Sequence, residues 1–313
     1  MIRDSVSDTV LLILFNVFIV LMLGIDLGIA QRRSHFPAMK EALAWTGMWV
    51  LLAFAFGVFI WLDRGSAKSY EYFSGYLVEE ALSVDNVFVF IVIFNYFAVP
   101  LHDHHKVLFW GVLSAIVLRA MFIILGAALV ARFHWILYLL GLFLVVTAIR
   151  LAVAKEVSVD PGRNPFLRFT RKLFPVTEDY MEGKFSVRVG GRRMITPLLL
   201  VLVMIETTDI AFATDSIPAI FALTRDTFII FTSNVFAVLG LRSLYFVVAG
   251  FMQQFRFLKY GLSLVLSFIG VKMLAERWIA VPISTSLVVI FLLIASSVAL
   301  SVILPPKRKG EAE

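Results

Sequence analysis

The sequence contains no cysteine and few charged residues. Its 313 residues include 0 Cys, 16% charged residues and 60% apolar residues, and its mean hydropathy is +0.92. Without Cys, disulfides, thiolate metal sites, iron–sulfur clusters and cysteine catalysis are excluded, so a bound metal must use oxygen or imidazole ligands. The low charge excludes an ordinary soluble domain, which has about 25% charged residues, and the high hydrophobicity excludes a disordered chain.

The apolar residues form nine runs that are long enough to cross a bilayer, because a hydrocarbon core of about 30 Å requires roughly 20 helical residues. The runs cover residues 9–29, 42–62, 76–99, 107–130, 134–153, 197–222, 228–250, 258–275 and 282–304. They lack the alternation of barrel strands, and a spanning segment must satisfy its own backbone polar groups. We therefore predict an all-α polytopic membrane protein with nine transmembrane helices in a single membrane domain, residues 1–313.

Lys and Arg in the connecting loops predict the orientation, because cytoplasmic loops retain these residues. Eighteen of them fall in loops on one side of the membrane and six on the other. The N-terminus is therefore expected outside and the C-terminus in the cytoplasm. Because the net charge of +6 lies largely in cytoplasmic loops, we interpret it as a topology signal and as contact with anionic inner-leaflet lipids, and not as nucleic-acid binding.

Two groups of three spans resemble each other in sequence. In span 3 Glu79 precedes Asp85 and Asn86, and in span 6 Asp209 precedes Asp215 and Ser216 at the same spacing; the next two spans match at Arg119 and Arg242, and at Tyr138 and Tyr260. Because three is odd, the second copy inserts upside down, as in many secondary transporters. We predict an inverted repeat of residues 76–153 (spans 3–5) and 197–275 (spans 6–8). Residues 1–75 and 276–313 then hold peripheral spans and a basic tail.

The hydrophilic segment 154–196 is predicted to be a cytoplasmic loop. Phe166, Phe169 and Leu173 have helical spacing among basic residues, which is typical of a short helix on the inner membrane surface. Alternating apolar residues before Gly190 and Gly191 predict a β-hairpin. A structured connector is the favoured interpretation, with a regulatory role as the alternative.

Acidic residues inside the apolar spans are the main functional signal, because an unpaired charge at the bilayer centre costs about 2.5–3.5 kcal/mol on the insertion scale. These acids are Asp26, Glu79, Glu80, Asp85, Glu206, Asp209 and Asp215. At a rise of 1.5 Å per residue, Asp85 and Asp215 lie at about the same depth, so the two can meet. On a helix, however, Asp215 is about 120° from Asp209, so a straight helix does not converge all of the acids.

Pro218 predicts a bend in span 6, because proline lacks an N–H and crowds the carbonyl of Thr214. That carbonyl would then be a free acceptor beside Asp215 and Ser216. Carboxylates, an amide oxygen, a hydroxyl and a carbonyl together form an all-oxygen ligand set. Such a set suits Mg²⁺, Ca²⁺ or Mn²⁺ rather than softer metals.

The two acidic segments also carry a family resemblance. They are similar to the two signature segments of the TerC family of integral membrane proteins, in particular its Alx-like branch, and the similarity extends over nearly the whole chain. The resemblance implies a bacterial inner-membrane protein similar to Mn²⁺ exporters, in a family associated with tellurite resistance and alkaline pH. The ion-binding residues that it implies are Glu79, Asp85, Asn86, Glu206, Asp209, Asp215 and Ser216. The additional Glu80 departs from the family pattern.

The roles of these residues stay open at the level of sequence. Asp85 and Asp215 could be ligands, or they could be structural partners of Arg119 and Arg242, which we interpret as counter-charges that support the site. Asn86 and Ser216 could be ligands or interhelical hydrogen-bond partners. The run His102-Asp103-His104-His105 could collect metal or sense pH, but a solvated loop is the favoured interpretation.

The leading hypothesis is a secondary transporter that exports divalent cations, in particular Mn²⁺, from the cytoplasm in exchange for protons. Mn²⁺ is then the substrate, and no resident cofactor is expected. The alternative is a non-transporting membrane factor that assists metal loading or insertion of other proteins. We do not expect an enzyme, because the sequence has neither an H-E-x-x-H nor a G-x-S-x-G motif. The expected partners are a divalent ion and anionic lipids, and no nucleic acid.

Overall fold

The computed structural model describes residues 2–32, 38–133, 135–153, 164–181, 183–251, 257–279 and 281–303, without the side chains of residues 2–9, 26–32 and 250–251. The side chain of Asp26, residues 154–163 and the basic tail, for which the sequence makes predictions, lie outside this part. The helices are α1 (Ile2–Arg32), α2 (Met39–Arg64), α3 (Ser66–Tyr96), α4 (Leu101–Arg132), α5 (Ile136–Val153), α6 (Pro165–Leu173), α7 (Pro197–Phe221), α8 (Thr227–Phe251), α9 (Leu258–Ala275) and α10 (Ile283–Ile303). The strands are β1 (Ser186–Val189) and β2 (Arg192–Ile195).

Seven of these helices are long and apolar enough to cross a membrane, namely α2, α4, α5, α7, α8, α9 and α10. The prediction of an all-α polytopic membrane protein is therefore confirmed. Helix α1 contains a shorter apolar stretch, Val10–Ile25. Helix α3, at the position of predicted span 3, has 31 residues and includes Glu79, Glu80 and Asp85.

The core of the bundle lies around α8, which packs against α2, α3 and α4 and is largely buried. Helix α5 packs along α9, and α10 packs against α3 and α9. The outer helices instead expose large apolar side chains, including Leu51, Ile124 and Phe291, which are more than half exposed. Such surfaces are expected where lipid rather than water surrounds the protein.

Helices α5 and α9 approach each other closely at two points. At one of them, a Cβ atom on Gly270 would lie only 2.8 Å from the carbonyl oxygen of Gly141, so a residue without a side chain is required. At the other, the hydroxyl of Ser263 donates to the carbonyl of Ala148 at 2.8 Å. Small residues at these points let the two backbones touch, as is common between helices in membranes.

The short helix and the hairpin that the sequence predicts are both present in the segment after α5. Asn164 caps α6 by accepting from two backbone N–H groups, and Leu167 is buried against Ile195 and Leu200. Strands β1 and β2 pair antiparallel across Gly190 and Gly191, whose φ angles are 57° and 78°. Positive φ at both central residues is typical of a two-residue hairpin turn, which explains the Gly-Gly sequence.

The segment between α6 and α7 is fixed to the ends of α3 and α4. The hydroxyl of Tyr180 donates to the carbonyl of Phe97 at 2.6 Å. Burial and the nearby Asp103 carboxyl raise the pKa of Tyr180 to about 12, so the hydroxyl keeps its proton at physiological pH. Gly183, with φ 69°, leaves room for the Asp103 carboxylate, since a Cβ there would lie 2.5 Å from its Oδ1.

The solvated-loop interpretation of residues 102–105 is wrong for Asp103 and His104, which are only 3% and 5% exposed in the first turns of α4. The Nε2 atom of His104 lies 3.1 Å from the carbonyl of Val99, and its Nδ1 atom lies 3.0 Å from the Tyr245 hydroxyl. Because a carbonyl can only accept, Nε2 carries a proton, and a neutral imidazole then accepts from the Tyr245 hydroxyl at Nδ1. The ring is held in place by both contacts, and it stacks on Phe94.

The substitution Tyr245→Phe is expected to lower the free energy of unfolding by about 1–3 kcal/mol, because it leaves the buried Nδ1 acceptor of His104 without a donor. Thermal unfolding of the purified protein in detergent measures the change. Tyr96→Phe, at a side chain that is 57% exposed, is the matched control. Equal unfolding temperatures for the two variants would contradict the assignment of the His104 hydrogen bond.

Candidate metal site

A buried arginine joins four helices in the centre of the bundle. Arg119 on α4 is 1% exposed and forms an ion pair with Glu79 on α3. It also donates to both carboxylate oxygens of Asp209 on α7, at 3.0 and 3.3 Å, and to the Asn234 amide oxygen on α8, at 3.3 Å. A bidentate contact between a guanidinium and a carboxylate, such as that of Arg119 with Asp209, is among the stronger hydrogen-bonded pairs in proteins. The cluster has two carboxylates for one guanidinium.

A cavity of about 80 Å³ lies beside this cluster, among α3, α5, α7 and α9. Its lining residues are Glu79, Leu82, Asp85, Asn86, Thr147, Leu151, Phe212, Asp215, Ser216, Leu262 and Leu266. Asp85 and Asp215 thus line one cavity, as their predicted common depth allows. Asp215 accepts a hydrogen bond from the Thr147 hydroxyl at 3.3 Å.

Three further oxygen atoms of cavity residues are buried without a hydrogen-bond partner among the described residues. They are Oε2 of Glu79, Oδ1 of Asn86 and Oγ of Ser216. Buried polar atoms are nearly always satisfied in native proteins, so a group of unsatisfied acceptors needs an explanation. A cation bound among these oxygens would satisfy them, and the donor set fits a hard divalent ion.

The direction of each α7 side chain follows from helical phase. Helix α7 continues through Pro218 to Phe221, so the helix does not end at the proline. Asp209 and Asp215, about 120° apart on such a helix, accordingly face different neighbours. Asp209 binds Arg119, whereas Asp215 lines the cavity. The structural alternative, in which Asp85 and Asp215 pair with Arg119 and Arg242, is wrong for Arg119, which pairs with Glu79 and Asp209 instead.

The structure does not bring all of the sequence-predicted residues together. Glu206 lies against α4, where one of its oxygens accepts from the Ser114 hydroxyl and the other is buried without a partner among the described residues. Glu80 lies near Gly240 of α8, and its Oε2 atom is buried without a partner among the described residues. Arg242 is half-buried on α8 and does not line the cavity.

The seven residues implied by the resemblance are therefore distributed over distinct positions. Within the described ranges, no group of three or more His, Asp or Glu side chains is arranged to hold a metal ion. The cavity instead combines two carboxylates, Asp85 and Asp215, with neutral oxygens and one shared carboxylate, Glu79.

The sequence profile of the integral membrane protein TerC family matches residues 64–309. The chain belongs to the TerC family. The matched region begins at the last residue of α2 and includes α3 to α10, so it contains both the Arg119 cluster and the cavity.

Relatives of this TerC protein match over nearly their full length. The membrane protein STKORF319 of Myxococcus xanthus is 45% identical over 289 residues, which are 92% of this chain and 91% of the relative. Alx of Salmonella typhi and Alx of Escherichia coli K12, both named as membrane-bound redox modulators, are each 44% identical over 286 residues, with 88% and 89% coverage. No solved structure matches the chain.

Sequence reasoning missed three polar residues of this TerC site. Asn234 contacts Arg119, Thr147 binds Asp215, and Ser114 binds Glu206. Ser114 and Thr147 are lone polar residues in apolar spans, whereas Asn234 follows Thr232 and Ser233 and is 0% exposed. A buried amide in such a span is a usable signal, because it must find a partner inside the protein.

Proposed function

We propose that this TerC protein is a secondary transporter that exports divalent metal cations, in particular Mn²⁺, across the bacterial inner membrane. The observation that carries the proposal is the composition of the cavity. Six of its lining residues form three pairs, in which one residue of α3 and one of α7 occupy matched positions of the two repeats. The pairs are Leu82 and Phe212, Asp85 and Asp215, and Asn86 and Ser216. A substrate site lined by equivalent residues of two copies is the arrangement of transporters built from inverted repeats.

The packing of α5 and α9 supports the proposed repeat. Both helices have 18 residues, and the match of Tyr138 with Tyr260 aligns Ile136–Val153 with Leu258–Ala275 from end to end. This alignment makes Gly141 equivalent to Ser263 and Ala148 equivalent to Gly270. The two close contacts described above, Gly141 with Gly270 and Ser263 with Ala148, are therefore exchanged by the repeat relation. A pseudo-two-fold axis between α5 and α9 would have this effect.

Nine membrane spans also belong to this proposal. They are the seven long apolar helices together with α1 and α3. We place the N-terminus outside and the C-terminus in the cytoplasm, on the Lys and Arg distribution. The family match supports a core of α3 to α10, with α1 and most of α2 as additions.

The chemistry of the cavity suits a partly hydrated hard cation. Asp85 and Asp215 provide two negative charges beside neutral oxygens, and the Arg119 cluster adds one further negative charge if its two carboxylates are ionised. Carboxylate and carbonyl oxygens suit Mg²⁺, Ca²⁺ and Mn²⁺ alike, so the choice of Mn²⁺ within this proposal rests on the family resemblance. Exchange for protons, which would neutralise a cavity carboxylate and release the ion, completes the proposed cycle.

Thiol redox chemistry by this chain's own residues is excluded because it has 0 Cys. The name of the Alx relatives therefore does not point to a dithiol mechanism here. A non-transporting membrane factor that assists metal loading or insertion of other proteins is the alternative from sequence, and the following experiment distinguishes it from an exporter.

Proteoliposomes that contain this chain alone are expected to transport Mn²⁺ and to move protons in the opposite direction, which changes the lumenal pH. Flux of Mn²⁺, Mg²⁺ and Ca²⁺ is measured with a metal-sensitive dye and a pH dye, against protein-free liposomes. We expect the rate to be highest for Mn²⁺. Rates equal to those of protein-free liposomes for all three ions would reject the exporter and favour the alternative.

A further inference from the structure

A polar cavity lies at one end of the helix bundle, apart from the cavity of Asp85 and Asp215. Its volume is about 360 Å³, and its wall includes residues near the ends of α3, α5, α7, α9 and α10. Volumes of about 300–1,000 Å³ are typical of small-molecule sites. The proposed transport site uses none of its charged lining residues, which are Glu71, Arg225, Lys272 and Glu276.

Two of these charges compensate each other. The Nη2 atom of Arg225 lies 3.1 Å from Oε1 of Glu276, and the two side chains are 51% and 53% exposed. They therefore lie at the rim, where the cavity can be entered from outside the protein. Because they pair with each other, the charge that the cavity offers to a ligand comes from the two more buried residues, Glu71 and Lys272.

Lys272 on α9 forms a cationic part of the wall. Its Nζ atom donates to the hydroxyl of Ser286, which is 0% exposed, at 2.8 Å. Among the described residues it has no other hydrogen bond and no carboxylate within 4.0 Å, so two of its three N–H donors remain for a ligand. Helix α10 begins at Ile283 in the same cavity, and the N-terminal end of a helix favours an anion. This part of the wall therefore fits an anionic group.

Glu71 on α3 forms an acidic part of the wall. Its Oε2 atom accepts from the Thr224 hydroxyl and lies 2.9 Å from Nζ of Lys68. Lys68 also lies 3.2 Å from Asp226, so one ammonium is shared by two carboxylates, and Arg64 approaches Asp226 only to 4.0 Å. Helix α7 ends in this wall, and the C-terminal end of a helix favours a cation. This part of the wall therefore fits a cationic group.

We propose that this cavity binds a phosphoethanolamine group, with the phosphate at Lys272 and the first turn of α10 and the ammonium at Glu71. A ligand with one group of each sign matches a wall that has one part of each sign, and lysine is a common phosphate-binding residue. The ends of spanning helices lie at the depth of the lipid headgroups, so phosphatidylethanolamine is one source of this group. Free phosphoethanolamine from the aqueous phase is the other. The inference goes beyond the transport proposal and does not depend on it.

Three lipids with identical acyl chains test the two charges of the ligand separately. Phosphatidylethanolamine has both groups, phosphatidylcholine has a methylated nitrogen that cannot donate an N–H, and phosphatidylglycerol has the phosphate without an ammonium. Native mass spectrometry of the full chain in detergent measures the bound fraction of each lipid during a titration. We expect phosphatidylethanolamine to bind at least about tenfold more tightly than either of the others, which corresponds to about 1.4 kcal/mol.

Substitutions in the cavity are expected to have different effects on the three lipids. Lys272→Met removes the phosphate contact and should weaken binding of all three, whereas Lys272→Arg keeps the charge and should retain most of it. Glu71→Gln should weaken binding of phosphatidylethanolamine alone, about tenfold, and so remove its preference. Arg277→Gln, at an exposed residue directly after α9 that does not line the cavity, is the matched control and should bind as the parent does. If a variant does not fold, the comparison of the three lipids on the parent chain still tests the proposal.

Titration calorimetry with soluble phosphoethanolamine distinguishes the two sources. Binding of the lipid without binding of the soluble compound would identify the lipid as the ligand, and binding of the soluble compound would show that the aqueous phase also supplies it. Equal affinity of the parent chain for all three lipids, with no binding of soluble phosphoethanolamine, would overturn the proposal. Equal losses of lipid binding in Lys272→Met and Arg277→Gln would also overturn it, because the binding would then not involve the cavity.

Discussion

Asp85→Asn and Asp215→Asn are each expected to reduce Mn²⁺ flux by at least about 100-fold while the protein still folds and reaches the membrane. A factor of 100 corresponds to about 2.7 kcal/mol. Each substitution removes one of the two cavity carboxylates that are not shared with Arg119, and an amide is a weaker ligand for a hard cation. The fold should persist because the change is isosteric and replaces a buried charge with a neutral group.

Flux into proteoliposomes at matched protein density measures the effect. Asp63→Asn, at a carboxylate that is 44% exposed and lies at the end of α2, is the matched control and should transport at the parent rate. Retention of normal flux by both cavity variants would remove the basis of the proposed substrate site. Loss of flux in the Asp63 variant as well would show that the assay reports protein quality and not the cavity.

Arg119→Met is expected to lower the free energy of unfolding by about 3–5 kcal/mol, which is the usual result when one partner of a buried ion pair is removed. The reason is that Glu79 and Asp209, which are 0% and 4% exposed, would lose the guanidinium that offsets their charge. Thermal unfolding in detergent and the yield of membrane-inserted protein measure the loss. Arg225→Met, at a guanidinium that is 51% exposed and paired with Glu276, should have little effect.

A triple variant makes the Arg119 prediction specific. Combining Arg119→Met with Glu79→Gln and Asp209→Asn removes the arginine together with the two charges that it offsets, so most of the stability should return. If the triple variant is as unstable as Arg119→Met, the cost arises from packing of the arginine side chain and not from unpaired carboxylates.

Much of the helical framework follows from the sequence, because span length is set by bilayer thickness and by local composition. The run 258–275 coincides with α9, and the run 134–153 ends where α5 ends. The meeting of Asp85 and Asp215 also follows, since depth depends only on the direction of each helix and its rise per residue. The hairpin follows from the two glycines that adopt positive φ.

The partners of individual side chains could not be predicted, because they depend on how each helix is rotated against its neighbours. Arg119 pairs with Glu79 and Asp209, and not with Asp85 and Asp215, as a result of that rotation. Likewise, a run of histidines next to an aspartate is usually solvated. The residues near His104 in the sequence do not predict its contact with the hydroxyl of Tyr245, which is 141 residues away. Glu206 is separated from the cavity for the same reason.

Glu79 belongs to the Arg119 cluster and to the cavity wall at once, with one oxygen on the guanidinium and the other without a partner among the described residues. If a metal ion binds in the cavity as proposed, it would share the Glu79 carboxylate with Arg119. This competition would keep the affinity modest, and modest affinity would allow a transporter to release each bound ion within one transport cycle.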